Sequence, residues 1–579
     1  MSKMDLSLIV GGAAGRGLKS LSYALVQAGG KAGFEVFSTQ NYMSRIRGGY
    51  NFFSIRFAEK EISAVKEDCQ ILIALDQISL ETHQANLAPD GFIICDPSVV
   101  KTKSDKALLV PFEELALKYG GHTLMNNSVA LGSIWGLLDG DIEILYKLQE
   151  ETWAKKGNDI VEKNKNATLA GYNWAKEHRP AGFELKLKAN RPKEDRRLII
   201  DGATGMGMGA IAAGCRFVSA YPMTPSTSLT EYLASHQLSC HIIVEQVEDE
   251  IAAIIMGIGA ANAGTRALVP TSGGGFSLMV EGLGLASITE TPLVIVNMQR
   301  PGPATGLPTR TEQADLLFSI YAHQGEFPRF VMAPYSPESA FETMIRAFNI
   351  ADVYQLPVIV LGDQYLADSI KTTPFFDFNK ITIDRGKLLD KETGDLLGQN
   401  YKRHLLTADN ISPRAFPGKS KAIVKTAGDE HDESGNIIED ANTRLKQHEK
   451  RLSKLAALKL EAIKPLEYGS LDASLVLVSW GSSYGAVKEA VDIINQRGRL
   501  TKMVHFTDLY PINPEYIINS IVGCKGRIAV EGNATSQFSK LIKSETGIGM
   551  TGYVLRYDGR PLTPEYIVAR LEEGGDIPW

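Results

Sequence analysis

Between Ala220 and Asp315 the sequence sets acids, a glycine run and a solitary arginine at the points where apolar runs stop. The acids Glu245, Glu248, Asp249 and Glu250 precede an apolar helical stretch that starts at Ile251. A helix start attracts acids to its positive end, which accounts for Glu248 and Asp249 on a solvent-facing turn. Glu250 leads directly into the apolar segment and is the first candidate for an acid–base group, with Glu248 and Glu245 as competitors. Thr271-Ser272-Gly273-Gly274-Gly275-Phe276 reads as a strand end and a glycine turn. Arg300 ends the next apolar strand and is followed by Pro301-Gly302-Pro303. A guanidinium there can grip a carboxylate with two parallel hydrogen bonds, which lysine cannot match. Upstream, Tyr221-Pro222-Met223-Thr224-Pro225 holds a threonine between two prolines, placed to cap a helix starting at Pro225. This order of parts predicts a site at the carboxyl ends of parallel strands, where open α/β sheets place ligands.

The stretches Tyr221-Pro222-Met223-Thr224-Pro225, Glu248-Asp249-Glu250-Ile251-Ala252-Ala253 and the run from Gln299 to Thr309 resemble the α subunit of 2-oxoacid:ferredoxin oxidoreductases. The resemblance covers nearly the whole chain. It implies a thiamine diphosphate enzyme that oxidises a 2-oxoacid to its acyl-CoA, with coenzyme A as a substrate and ferredoxin as electron acceptor. In such a site a carboxylate beside the aminopyrimidine ring favours the imino tautomer that removes the C2 proton. Glu250 is assigned that role. Tyr221, Pro222 and Gly273 would line the cofactor, while Thr224, Arg300 and Thr309 would contact substrate, Arg300 taking the 2-oxoacid carboxylate. Met223 stands where the family often has isoleucine, and Gly274 where it often has proline; neither change alters a chemical group.

The absences narrow the reading. Thiamine enzymes hold the diphosphate through Mg²⁺ on a Gly-Asp-Gly motif, and none occurs here. The five cysteines (Cys69, Cys95, Cys215, Cys240 and Cys524) are scattered with no Cys-x-x-Cys, so no iron–sulfur, zinc or disulfide set can be read. The resemblance then implies a β subunit carrying Mg²⁺ and the [4Fe-4S] cluster, thiamine diphosphate shared between the two, and an (αβ)2 assembly. A net charge of −6 gives no support for nucleic acid or an anionic membrane as partner. No apolar run is long enough to span a bilayer, and residues 1–10 do not read as a signal peptide, which points to the reduced cytoplasm.

At 579 residues the chain needs several cores. The expected fold class is α/β, with three Rossmann-like or thiamine-enzyme modules and a charged helical connector. Residues 1–185 form the first module, in which Gly11-Gly12 and Gly15-Arg16-Gly17 follow a strand. Their spacing misses the dinucleotide fingerprint, so an NAD-dependent dehydrogenase fails on spacing. That glycine turn, Arg47-Gly48-Gly49 and Asn127-x-x-x-Leu131-Gly132 resemble the family's γ subunit, fused ahead of α. Arg47 is read as a loop-ordering residue, with a phosphate contact as the alternative. Residues 195–380 form the pyrimidine-binding module, opening at Leu198 with a glycine-rich run from Gly202 to Gly209. Its spacing fits neither a P-loop nor the dinucleotide motif, and close packing of a following helix over 210–214 explains its glycines. Residues 381–468 form the connector, where His431 among acids is read as part of a solvated loop. Residues 469–579 resemble a transketolase C-terminal domain, with Glu531 to Gln537 in a structural role. The γ–α fusion resembles the 2-oxoglutarate branch. A broad-specificity or branched-chain 2-oxoacid enzyme and a non-catalytic assembly subunit are the alternatives.

Overall fold

A computed structural model describes residues 4–15, 17–43, 49–187 and 195–574. The fold is α/β, with three sheets rich in parallel strands, and it divides into two compact units. One comprises residues 1–200 with 369–375, the other residues 201–368 with 376–579.

The first unit is built on an eight-stranded sheet. Strand Asp5–Ala13 pairs in parallel with Cys69–Ala74 and antiparallel with Tyr50–Ala58. Gly11 and Gly12 lie inside that strand rather than in a phosphate-cradling loop. A Cβ at Gly11 would meet the Tyr50 hydroxyl and Ser79, so the glycine serves close packing. Two strands that the sequence assigns to the following module, Leu198–Asp201 and Ile370–Thr373, complete this sheet at its edge. Ile370–Thr373 pairs antiparallel with Glu35–Asn41, and the Val36 backbone N–H donates to Thr372 Oγ1 at 3.0 Å. Chain that has already traversed the second unit thus returns to the first, a pairing that no local periodicity reports.

The second unit carries a seven-stranded and a five-stranded sheet. In the seven-stranded sheet the order is Asp508–Tyr510, Phe330–Met332, Pro357–Asp363, Leu293–Gln299, Arg266–Thr271, Cys215–Ala220 and Ile243–Gln246. All pairs are parallel except the one made by Asp508–Tyr510. Every residue of Leu293–Gln299 is buried, as a β-branched strand flanked by parallel neighbours and covered on both faces requires. The chain steps from Cys215–Ala220 outward to Ile243–Gln246, then back to Arg266–Thr271 on the other side. That reversal opens a crevice at the carboxyl ends of the strands.

The run from Gly202 already belongs to the helix: Gly202–Ala212 is helical throughout. A Cβ at Gly205 or Gly209 would collide with the backbone of Pro337 or Phe341, so these glycines let the helix lie directly against Pro337–Tyr354. The five-stranded sheet is parallel except for Leu466–Gly469. Among the described residues no helix is long and apolar enough to cross a membrane.

The connector corrects one sequence reading. His431 is fully buried (0% exposed) and packs on His404 with ring centroids 3.9 Å apart, so it is not part of a solvated loop. The helix Ala441–Glu461 likewise buries polar side chains: Gln447, Lys450, Arg451 and Lys454 face inward with Leu458. Glu290 receives Lys450 Nζ at 2.5 Å, Lys454 Nζ at 2.6 Å and His404 Nδ1 at 3.0 Å. The two ammonium groups hold the buried Glu290 carboxyl well below the usual carboxylate range, against the opposing effect of desolvation.

Candidate functional site

The acids of the Glu245–Glu250 run separate cleanly. Glu245 and Glu248 are exposed, and Asp249 caps the helix Glu250–Asn262 by accepting the Ala252 N–H at 2.8 Å. Glu250 is the first residue of that helix and only 3% exposed. Its Oε1 is buried without a hydrogen-bond partner, an expensive condition for a carboxyl group unless something completes it. Desolvation raises its pKa above the ordinary glutamate value, while Arg300 acts in the opposite direction.

Strand Arg266–Thr271 ends beside Glu250. The chain there turns through Ser272 into the short helix Gly273–Leu278. A Cβ at Gly275 would collide with Glu250 Oε1 and Thr271 Oγ1, so only glycine lets this backbone approach the carboxyl. Ser272 Oγ is also buried and unpartnered. Gly273 lies alongside, and a Cβ on it would stand 3.0 Å from Asp315 Oδ2.

Arg300 leaves the carboxyl end of Leu293–Gln299. Its Nη1 donates to the Thr224 carbonyl oxygen at 2.7 Å, and its Nε is buried without a partner. No carboxylate lies within ion-pair distance (4.0 Å) of the guanidinium among the described residues. Desolvation lowers its pKa, while Asp315 and Glu250 oppose that effect. A cation left with a free face in a strand-end crevice is suited to an incoming carboxylate.

Thr224 therefore meets Arg300 through its backbone. The helix after it runs Thr227–Ser235 with no side-chain cap, so Thr224 does not cap a helix at Pro225. Tyr221 (38% exposed) and Pro222 are at the surface of the same turn. Thr309 is buried in the loop beyond Arg300. Arg47 lies outside the described residues.

Sequence reasoning assigned nothing to the groups that frame Arg300. Asp315 accepts Asn297 Nδ2 at 3.2 Å, and its own N–H donates to Gln299 Oε1 at 3.0 Å. Burial pushes the Asp315 carboxyl up to about 6 and that of Glu312 up to about 7. Asn297 Oδ1 is another buried atom without a partner. The loop is clamped by the five-stranded module. Gln313 exchanges backbone and side-chain bonds with Gly532 at 2.7 and 2.8 Å, and Gln537 Nε2 donates to the Ala314 carbonyl at 2.6 Å. Glu531 is spent internally, accepting from Asn533, Ser536, Phe538 and Ser539. The only sequence signal for Asp315 was that it is the last acid in the run following Arg300.

Fold and site together define an α/β protein with a switch-point crevice holding an incomplete acid and an unpaired cation. Residues 208–450 match the family described as pyruvate flavodoxin/ferredoxin oxidoreductase, thiamine diphosphate-binding, and residues 7–174 match the family described as pyruvate ferredoxin/flavodoxin oxidoreductase. The chain is 33% identical to the 2-oxoacid:ferredoxin oxidoreductase subunit alpha of a Sulfolobus species, over 96% of this chain and 95% of that one. It is 29% identical to the 2-oxoglutarate oxidoreductase subunit KorA of Mycobacterium tuberculosis, over 90% and 82% of the two chains. Among solved structures, the 2-oxoglutarate:ferredoxin oxidoreductase from Magnetococcus marinus with 2-oxoglutarate, coenzyme A and succinyl-CoA bound superposes with a TM-score of 0.92. That pair shares 31% identity over 99% of this chain and 100% of the other. The chain belongs to the 2-oxoacid:ferredoxin oxidoreductase family, as an α-type subunit.

Proposed function

We propose that this chain supplies half of a thiamine diphosphate site, shared with a β subunit, for oxidative decarboxylation of a 2-oxoacid to its acyl-CoA and CO2. The first choice of substrate is 2-oxoglutarate, in keeping with the ligands of the Magnetococcus marinus relative. The observation that carries this reading is the buried Glu250 Oε1, left without a hydrogen-bond partner where only the glycine at 275 lets the backbone approach it. Bound there, the cofactor would supply the carbon nucleophile and electron sink that 2-oxoacid decarboxylation needs.

Glu250 would hold its proton against the ring nitrogen, and its raised pKa suits a group that must share one. Arg300, tied to Thr224 on one side, would present its free face to the 2-oxoacid carboxylate. Tyr221, Pro222 and Gly273 would line the cofactor, with Thr224 and Thr309 near substrate. The helix that begins at Glu250 exposes Ile251, Ile255 and Met256, with Leu278 exposed on the next helix. An apolar face beside an incomplete site suits a partner subunit. The β subunit would bring Mg²⁺, the [4Fe-4S] cluster and the exit to ferredoxin, giving a cytoplasmic (αβ)2 assembly. Residues 1–185 would act as the fused γ-type region, 195–380 as the pyrimidine module, 381–468 as the connector and 469–579 as the C-terminal module.

Acyl-CoA formation by the reconstituted complex, over a panel of 2-oxoacids with a viologen acceptor, tests this reading. The chain alone is expected to be inactive and iron-free, because it lacks a cysteine cluster and Gly-Asp-Gly. Stoichiometric iron in the isolated chain would sink that division of labour.

Arg300→Lys is expected to lower kcat/KM for 2-oxoacids by about one to two powers of ten while cofactor remains bound. The variant keeps the charge but loses the paired hydrogen bonds, each charge-assisted bond being worth roughly 1.5–3 kcal/mol. Unchanged kcat/KM for every 2-oxoacid, with a normal melting curve, would remove Arg300 from the site.

A further inference from the structure

Arg300 has an uncommon neighbourhood. It is coupled electrostatically to two carboxyls, Asp315 and Glu250, yet neither comes within ion-pair distance among the described residues. Asp315 is not placed by chance. Asn297 and Gln299, on the strand that delivers Arg300, hold its carboxylate and its N–H. On its other side, Gln537 grips the residues flanking it, bonding the Ala314 carbonyl and accepting the Leu317 N–H at 2.9 Å. Two modules thus fix one carboxyl near the cation but outside ion-pair distance of it. Among the buried atoms without a hydrogen-bond partner, which are spread through the unit, Glu250 Oε1, Ser272 Oγ, Asn297 Oδ1 and Arg300 Nε lie around this strand end. A buried polar group without a partner is one that a ligand can complete.

If Arg300 receives a 2-oxoacid carboxylate, a second anion arrives beside Asp315. Two carboxylates cannot share such a site while both are ionised without a large cost. We propose that Asp315 is a proton-linked positioning residue for Arg300: binding of the 2-oxoacid carboxylate is accompanied by uptake of one proton from solvent onto the Asp315 carboxyl. This inference rests on the assignment of Arg300 to the substrate carboxylate. The charged groups facing Asp315 are Arg300 from the strand end and Glu312 from its own loop, with Glu250 reached through Arg300. Asn297, Gln299 and Gln537 are neutral. In the free enzyme Asp315, with its carboxyl near 6, is mostly ionised at neutral pH, so affinity falls as pH rises through that value. Glu312 titrates close by and shares the charge, so the pair must be separated by substitution.

The test is the pH dependence of KM for 2-oxoglutarate between pH 6 and 8 in the reconstituted holoenzyme. Wild type is expected to show KM rising about tenfold, the effect of a one-unit change in a single proton's affinity. Asp315→Asn should flatten that rise to within about twofold, and the change should fall on KM rather than on the pH profile of kcat. Asp315→Glu, which restores a titrating carboxyl, should restore the slope. Glu312→Gln should retain it. The inference is overturned if Asp315→Asn keeps the wild-type slope, if Glu312→Gln alone abolishes it, or if Asp315→Glu stays flat in a protein with a normal melting midpoint. A holoenzyme that turns over no 2-oxoacid would overturn the functional reading along with it. An active enzyme with an unmoved slope would overturn the Asp315 inference alone.

Discussion

Glu250→Gln in the assembled enzyme is expected to cut turnover by about 10²–10⁴, the usual cost of losing a positioned acid–base group. An amide retains the shape of the side chain but cannot exchange a proton with a ring nitrogen. Glu248→Gln, two residues away and exposed, is the matched control and should change little. The same substitution should act oppositely on the stability of the isolated chain. Burial raises the folded-state pKa of Glu250 above its ordinary value of 4.5. Its contribution to stability is therefore fully present below that value and lost as pH rises through the folded pKa. The glutamine variant has no such loss, so its melting midpoint should be at least that of wild type, with the gap widening as pH increases. A variant that is inactive and also less stable at high pH would point to a structural role for Glu250. A critical Glu248 with a tolerant Glu250 would move the acid–base role to the other face.

Glu290→Gln is expected to be the most damaging single change to stability outside the crevice. Glu290 is fully buried at the turn before Leu293–Gln299, the strand that carries Arg300, and it neutralises Lys450 and Lys454 from the connector helix. Arg403 Nη2 donates to the Glu290 backbone carbonyl at 2.6 Å and adds a third buried cation. Removing the carboxylate leaves those cations in low dielectric without a counter-charge, a change that costs about 3–5 kcal/mol. Amides of Ala441–Glu461 should then exchange faster by roughly 10²–10³, since each 1.4 kcal/mol is about a factor of ten. The pH sign is the reverse of that for Glu250. The folded pKa of Glu290 is depressed, so its contribution is present above the ordinary carboxylate pKa and lost as pH falls through the folded one. Lys402→Ala, which breaks a half-exposed pair with Glu433, should cost no more than about 1 kcal/mol. Exchange rates in the connector helix that match wild type would mean that the lysines shed their charge or find water instead.

What the sequence determined is local. An acid leading straight into an apolar helical run made Glu250 the first candidate, and the structure separates it from its competitors by burying it while Glu245 and Glu248 stay exposed. An apolar run ending in arginine placed Arg300 at a strand end, while the glycines after the preceding strand read only as a turn, and the structure shows that they open a short helix packed on Glu250. Long contiguous stretches carried the family, and the comparisons agree. Tertiary structure decided the rest, because the decisive partners are far apart along the chain. Glu290 and Lys450 are 160 residues apart, and nothing periodic in either segment predicts that they pair. His431, among acids near a charged helix, therefore read as part of a solvated loop, although it is buried and that helix turns Gln447, Lys450, Arg451 and Lys454 inward. Close packing is legible in the glycines after Gly202, but the sequence places the helix only from Ala210, because glycine lowers helix propensity. Contact with Pro337–Tyr354 outweighs that preference and makes small residues a requirement. The return of Ile370–Thr373 to the first unit's sheet follows from strand pairing across more than three hundred residues of separation, 336 in the Val36–Thr372 bond. The setting of Asp315 opposite Arg300 has the same origin: strand and loop residues from two modules must first be folded together before a lone acid becomes the neighbour of a lone cation.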